Sequence, residues 1–394
     1  MLQMRRPRVM LVIESSRAYG RGCLLGIAAY ARSHGPWSFL HLERGLNEGL
    51  PREVRRWRGD GIIARIENRS MAAALARLRL PIVDLRGRGL LRGVASFNTD
   101  PSATARLAAE HFLERGFRHL AFCGLPGIDF SDRRSAEFID HARRRAASVA
   151  VFQPRRRRSG NTLEQELRGS LDHADLTRWL ATLPRPVGVM ACNDARGRQV
   201  LDACAEAPLR VPEEVAVIGV DNDQVLCDLS NPPLSSVEPD VYTIGYRAAE
   251  MLAAMMQTGR RRGPAVEVPP RGIVTRRSSD ILAISDPTVA EAIHLIRENA
   301  QRHFNVEDLL DRLPVSRATL ERRFMSALGR SPKQEILQTR LARVRQLLAD
   351  TDYPLSRIAA LTGFKTASHL SVAWKSRFHS PPGQLRAGTS STAD

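Results

Sequence analysis

Residues 316–328 read SRATLERRFMSAL and residues 366–378 read TASHLSVAWKSRF, one helical pattern written twice with an offset of 50 positions. In the first copy Leu320, Phe324 and Leu328 fall at i, i+4 and i+8, and in the second Leu370, Trp374 and Phe378 do the same. That spacing draws one apolar stripe along a helix and leaves the opposite face polar. A shorter apolar pattern precedes each stripe: Leu309, Leu310 and Leu313 before the first, Ile358, Ala359 and Leu361 before the second. A short helix, a tight turn and a second helix with a polar outer face is the helix-turn-helix plan. Two copies on one chain imply two insertions into DNA, and point toward gene control and away from catalysis.

The outward faces follow from the inward ones. With Leu320 and Phe324 inside, Arg317, Ala318, Glu321 and Arg322 face out. With Leu370 and Trp374 inside, Thr366, Ala367, Ser368, His369, Ser371 and Val372 face the groove. Arg322 can bind guanine in bidentate fashion and Glu321 can accept from cytosine N4. Lys375 and Arg377 suit phosphate, which positions a protein without specifying sequence. The stretch Lys333–Ala349 reads as one helix, roughly 25 Å long at 1.5 Å per residue. A helix of that length can set the two recognition helices near successive major grooves, about 34 Å apart.

Charge adds little to this. The formal net charge is +17 over 394 residues. From Ser285 onward there are 16 Lys+Arg against 11 Asp+Glu, which leaves +12 of the excess on the first 284 residues, outside the helical repeat. Arginine outnumbers lysine 56 to 3, a compositional bias of the whole chain. The run Arg155-Arg156-Arg157-Arg158 therefore reads as a solvated loop before it reads as a DNA patch. No apolar run approaches the ~18 residues of a membrane span. The apolar stretch behind the basic N-terminus, Val9–Ile13, is shorter than the ~7–15 residues of a secretory core. A cytoplasmic protein without membrane contact is expected. The five cysteines are scattered and lack CxxC spacing, as reduced core thiols would be.

Between Val9 and about Arg277 strand and helix patterns alternate. Strands are expected at Val9–Ile13, Ser38–Leu42, Gly61–Ala64, Ile82–Asp84, Leu120–Cys123, Val149–Phe152, Gly188–Ala191 and Val215–Val220, with helices such as Leu24–Ser33, Ser102–Arg115 and Ala195–Ala207 between them. Continuous apolar strands alternating with amphipathic helices imply parallel sheets flanked by helices, and this length fits two sheets. Ligands in such folds sit beyond the carboxyl ends of the strands. There the chain offers Glu14 through Tyr19 and Arg21, then Asp84 and Arg86, then Asn193 and Asp194, then Asp221, Asn222 and Asp223. Carboxylates, amides and arginines converging on one cleft suit a polyhydroxylated ligand, whose hydroxyls both donate and accept. The alternative is that each Asp or Asn merely caps the next helix. Gly20 through Gly26 imitate a dinucleotide fingerprint, with Glu43 as the ribose acid. Five residues separate the strand end at Glu14 from Gly20, however, which is too many to bring a pyrophosphate to the helix N-terminus. Prolines and glycines from Pro232 to Pro270 punctuate the end of this region. A helix from Thr288 to His303 should pack on the DNA-binding unit or join it to what precedes.

These residues also match known families. Residues 305–386 resemble the arabinose-regulator type of DNA-binding domain, through Val306-Glu-Asp-Leu-Leu310, Ser316 to Phe324, Gly329-Arg-Ser-Pro332, Gly363-Phe364, Trp374-Lys375, Phe378, Pro382 and Arg386. Residues 7–280 resemble the sugar-binding fold shared by lactose-type repressors and periplasmic sugar receptors. The carriers are Asp60-Gly-Ile-Ile63, Thr99-Asp100, Ala108 to His111, Asn193-Asp194, Ile218 to Asp221 and Ser235-Ser-Val237. The two in this order are similar to the xylose-operon type of transcription regulator. The resemblance implies an α/β two-lobed sensor like a periplasmic binding protein over 1–280, a linker and connecting helix over 281–304, and an all-α domain with two helix-turn-helix units over 305–390. It implies a sugar between the lobes, with Tyr19, Arg21, Asp84, Arg86, Arg134, Asn193, Asp194, Asp221 and Asn222 as contacts, and Arg134 offered from the second lobe. It implies double-stranded DNA and RNA polymerase as partners, a homodimer, and neither metal nor cofactor. An activator is expected. A repressor, a sugar-modifying enzyme using Glu14, Asp194 and Asp221, and an exported transport receptor are the alternatives. Two departures bear on the DNA-binding turns. Pro314 stands where the first turn usually has glycine, so that turn must take another shape or the first helix must end early. His379 stands where glycine is usual in the second copy.

Overall fold

Short runs of three to six residues, most of them apolar, form the strands, and most are followed by a helix. The computed structural model describes residues 6–384 apart from 44, 47, 147, 155–159, 172, 282, 283 and 285. The arginine run at 155–158 and Arg386 lie outside the described residues. The first sheet begins with β1 (Arg8–Val12), α1 (Ala18–His34), β2 (Ser38–His41), β3 (Gly61–Ala64), α2 (Arg69–Ala76), β4 (Ile82–Asp84) and β5 (Ala95–Thr99). Helix α3 (Pro101–Glu114) carries the chain to a second sheet. That sheet is built from β6 (His119–Cys123), α4 (Asp129–Arg143), β7 (Ser148–Val151), α5 (Thr162–Leu171), α6 (Ala174–Thr182), β8 (Val187–Ala191), α7 (Asp194–Glu206), β9 (Val215–Val220), α8 (Gln224–Leu229) and β10 (Ser235–Glu238). Helix α9 (Val241–Thr258) returns to the first sheet, which gains β11 (Ala265–Val268), and β12 (Gly272–Val274) crosses back to the second.

The strand orders are β11-β5-β4-β3-β1-β2 and β12-β10-β9-β8-β6-β7. All pairings are parallel except that of β10 with β12. Three chain crossings therefore join two lobes. The eight expected strands are present within a residue or so at each end. Strands β5, β10, β11 and β12 were not legible as apolar runs. Ser96, Asn98, Ser235, Ser236 and Glu267 interrupt the first three, β12 is only three residues long, and pairing with a neighbouring strand makes them strands.

The glycines that imitate a nucleotide fingerprint serve packing. Helix α1 starts at Ala18, so Gly20 to Gly26 lie inside it. A Cβ on Gly22 would sit 2.2 Å from Val241 Cγ2, and one on Gly26 would sit 2.1 Å from the Tyr242 carbonyl oxygen. Gly245 answers from α9, where a Cβ would lie 2.0 Å from the Cys23 carbonyl oxygen. Small residues on both helices let α1 and α9 approach closely over one face of the first sheet. Val9, Leu11, Ile27, Ile63, Val83, Ile244 and Leu252 form the core there.

Residues 282–394 form a second compact unit, separate from 1–281. It contains α10 (Pro287–Glu298), α11 (Val306–Leu310), α12 (Arg317–Leu328), α13 (Pro332–Asp350), α14 (Leu355–Leu361) and α15 (Ala367–Phe378). Helix α10 ends five residues before His303. The Asn299 side chain takes the Leu295 carbonyl at 2.8 Å, competing with further helix as asparagine does at C-termini. Helix α10 packs on α11, α12 and α13 and so belongs to the second unit. Arg323 secures it, donating to Asp286 at 3.2 Å and to Thr288 at 2.7 Å. Helix α13 opens with a Ser331–Gln334 capping box and Pro332 in its first turn. Among the described residues no helix is long and apolar enough to cross a membrane.

Candidate ligand cleft and nucleic-acid interface

The carboxyl ends of β1, β3, β4 and β5 face those of β8 and β9 across a cleft within residues 1–281. Of the nine residues expected there, six line it: Tyr19, Arg86, Arg134, Asn193, Asp194 and Asp221. The other three do not. Arg21 is exposed and donates to the Ser15 carbonyl at 2.9 Å. Asp84 is buried and accepts the backbone N–H groups of Ile66, Arg86 and Gly87 at 3.1, 2.9 and 3.1 Å, holding the loop that presents Arg86. Asn222 accepts from Arg276 at 3.0 Å in a left-handed backbone with φ of 46°. Neither Asp84 nor Asn222 caps the next helix, the alternative expected for such residues; both brace loops.

The cleft is dense with paired charge. Arg17 donates to Glu166 at 2.5 Å and Arg65 pairs with Glu14. Arg86 lies 3.3 Å from Glu67, and Arg133 pairs with Glu267. Arg134 donates to the Cys192 carbonyl at 2.5 Å and approaches Asp221 to 3.8 Å. The ring of Phe130 lies between the guanidinium groups of Arg86 and Arg134, 4.9 and 5.2 Å from its centre. Tyr19 hydrogen-bonds Asn98 at 3.2 Å and Thr99 at 3.1 Å, with Arg65 over its ring at 4.6 Å. Burial pushes the Tyr19 hydroxyl up to about 12, so it remains a neutral donor.

Asn193 both caps and lines. Its side-chain oxygen accepts the Arg196 N–H at 3.0 Å to start α7, while its amide donates to Glu166 at 2.6 Å. Asp194 accepts from Ser236 Oγ at 2.6 Å and from the Asp223 N–H at 2.7 Å. Burial, then the neighbouring Asp221 carboxylate, raise the Asp194 carboxyl well above the usual range. Burial likewise raises Asp221, against the pull of Arg134.

Sequence reasoning missed Arg65, Phe130 and Glu166 as lining residues. Arg65 follows β3 directly, where the strand-end rule that found Asp84 applies equally. Glu166 is one acid among several in α5, and only tertiary contact with Arg17 and Asn193 distinguishes it.

In the second unit the expected recognition faces are open. Arg317, Ala318, Glu321 and Arg322 are exposed on α12 over buried Leu320 and Phe324, and Arg317 pairs with Glu307. On α15, Ser368, His369, Val372, Lys375 and Arg377 are exposed, and Ala367 and Ser371 are half-buried. Ser316 and Thr366 cap the two helices by accepting the N–H of the third residue on. Pro314 does reshape the first turn. Helix α11 stops at Leu310, and the Val315 N–H closes on the Leu313 carbonyl at 2.8 Å around the proline. In the second turn Gly363 has φ of 68°, and a Cβ there would lie 2.1 Å from the Arg302 carbonyl oxygen. His379 adopts the left-handed conformation, with φ of 55°, that Gly329 adopts in the first copy.

Comparison with known proteins divides the chain along the same lines. Residues 8–108 match a XylR N-terminal domain, 109–279 a periplasmic binding protein-like domain, and 309–388 a helix-turn-helix domain. The chain is 29% identical over 387 residues to the xylose operon regulatory protein of Escherichia coli strain K12, covering 97% of each. It is 27% identical to the protein of the same name from Haemophilus influenzae, over 96% of this chain and 98% of that one. Its structure is similar to that of the xylose-binding transcription activator xylR, with a TM-score of 0.80, 28% identity and 98% of each chain covered. A LacI transcriptional regulator from a Rhodococcus species shares the sensor fold, with a TM-score of 0.56 and 22% identity over 70% of this chain and 99% of that one.

Proposed function

We propose, from the premise that this chain is a sugar-responsive, DNA-binding transcription regulator and not an enzyme, built like the xylose operon regulatory proteins, that it activates a sugar-utilisation operon when a neutral sugar fills its cleft. The observation that carries the sugar reading is the charge balance of the cleft. Arg17, Arg65, Arg86, Arg133 and Arg134 each stand beside a carboxylate, so among the described lining residues no cation is left over for an anionic effector. Paired Asp, Arg and Asn groups offer both acceptors and donors, as a ring of hydroxyls requires. Tyr19, Arg86, Arg134, Asn193, Asp194 and Asp221 contact the sugar, and Asp84 and Asn222 shape the loops around it. A D-xylose unit is the first candidate for this central site.

Regulation requires the sugar to bind one arrangement of the lobes better than another. The Arg17–Glu166 pair joins the loop after β1 to α5 across the cleft, and a ligand that reorders it favours one arrangement. The DNA reading places Arg317, Ala318, Glu321 and Arg322 of α12 and Ala367, Ser368, His369, Ser371 and Val372 of α15 in the groove, with Lys375 and Arg377 on phosphate. A cytoplasmic homodimer that contacts RNA polymerase completes the proposal. A carbohydrate screen by thermal shift, followed by operator binding and transcription with and without the hit, tests it. A sugar that binds while leaving DNA affinity and transcription unchanged would refute the switch.

A further inference from the structure

We propose that the cleft continues into a second sugar subsite, so that the preferred effector is a disaccharide; the inference rests on the sugar-sensor reading above and names its ligand more closely. The central cleft extends to Arg86 and Thr162. Both residues also line a second cavity of about 290 Å³, together with Glu67 and Arg88 of the first lobe and Ile128 and Asp129 of the second. The two cavities thus meet at Arg86 and Thr162, and the proposed ligand spans them there.

Glu67, one of the lining residues, has a carboxylate oxygen without a protein partner. The Glu67 side chain is 8% exposed, and its Oε2 lies 3.3 Å from Arg86 Nε. Its Oε1 is buried without a hydrogen-bond partner. A buried carboxylate oxygen without a donor costs free energy, and a small turn of the Glu67 side chain toward the cavity would let a ligand hydroxyl supply that donor. Arg88 is exposed at the rim, where one guanidinium N–H holds the Glu67 carbonyl at 2.5 Å. Its remaining N–H groups can meet ring or hydroxyl oxygens. Ile128 offers an apolar surface for the face of a ring. Gly127 has φ of 83°, and nothing lies within 4 Å of where a Cβ would stand, so the floor beside Ile128 is open.

Charge selects between a sugar ring and a phosphate. Two carboxylates, Glu67 and Asp129, share the cavity with Arg88 and with Arg86, which Glu67 already neutralises. Among the described residues, a phosphate would face both acids with one uncommitted arginine, whereas a neutral hydroxylated ring uses all four groups. The lining therefore favours a second sugar residue over a sugar phosphate.

Titration calorimetry on the full chain tests this with D-xylose against xylobiose and D-glucose against cellobiose. The disaccharide of the recognised sugar should bind at least about tenfold more tightly than its monosaccharide. Arg88→Ala should remove most of that gain and leave monosaccharide affinity unchanged, since Arg88 does not line the central cleft. A monosaccharide that binds while its disaccharide binds no better, or an Arg88→Ala variant that weakens both alike, overturns the subsite and leaves the sensor standing. If neither member of either pair binds, the sensor reading falls and the subsite falls with it.

Discussion

His111 shows how much of this protein's behaviour resides in single buried groups. It lies on α3 where the chain first crosses between lobes, 6% exposed, with Nε2 2.9 Å from Ser279 Oγ. Burial, and then Arg115, lower its pKa from 6.5 to about 4, so it folds as the neutral imidazole. A depressed folded pKa means that its contribution is full above the unfolded value near 6.5 and is lost as pH falls toward 4. The shift corresponds to about 3 kcal/mol. Urea unfolding of wild type between pH 7 and pH 4 should lose stability of that order, and His111→Gln should flatten the profile across that window. Parallel profiles for the two proteins would show that His111 is not the titrating group. The sequence marks this histidine only as part of the resemblance; its lowered pKa comes first from burial, which depends on packing with distant segments such as Ser279, 168 positions away. Glu166 was hidden for the same reason, since its partners Arg17 and Asn193 come from two other segments. Asp194 was legible, because the rule about strand ends concerns a residue's place on its own strand.

At the level of elements, the two recognition helices are built alike and finished differently. Both bury an aromatic residue four positions after a leucine, and both are capped by a hydroxyl. Helix α12 presents Glu321 and Arg322, which can read base edges, whereas α15 presents mostly small or weakly polar groups. His369 packs edge-on to Phe364 with ring centres 5.7 Å apart, which ties it to its own unit. Arg322→Ala should cost about 1–3 kcal/mol and relax specificity at one base pair, and His369→Ala should cost less. Binding to a set of operator point variants measures both, and a larger loss at His369 would reverse the ranking of the copies. The unequal turns were half-legible. Pro314 excluded the usual geometry on steric grounds, but only the folded chain shows which bond replaces it.

At the level of the whole molecule, residues 1–281 and 282–394 are separate compact units with their own cores. Calorimetry should therefore resolve two unfolding transitions. Sugar at about 100 times its dissociation constant should stabilise only the first unit, by about 2.7 kcal/mol, and operator DNA only the second. A single transition that either ligand moves as a whole would show that the units unfold together. The sequence by itself determined the elements and the class of output. Helical and strand periodicities are local, so the doubled stripe and the eight apolar strands could be read from neighbouring residues alone. It also determined which strand ends carry Asp, Asn and Arg. Tertiary structure decided which of those ends meet. Three crossings between the lobes bring α5 and the loop after β3 to the cleft, assign Asp84 and Asn222 to loop contacts, and leave Glu67 with an oxygen to spare. Those outcomes depend on pairings across tens to hundreds of residues, which no local pattern encodes.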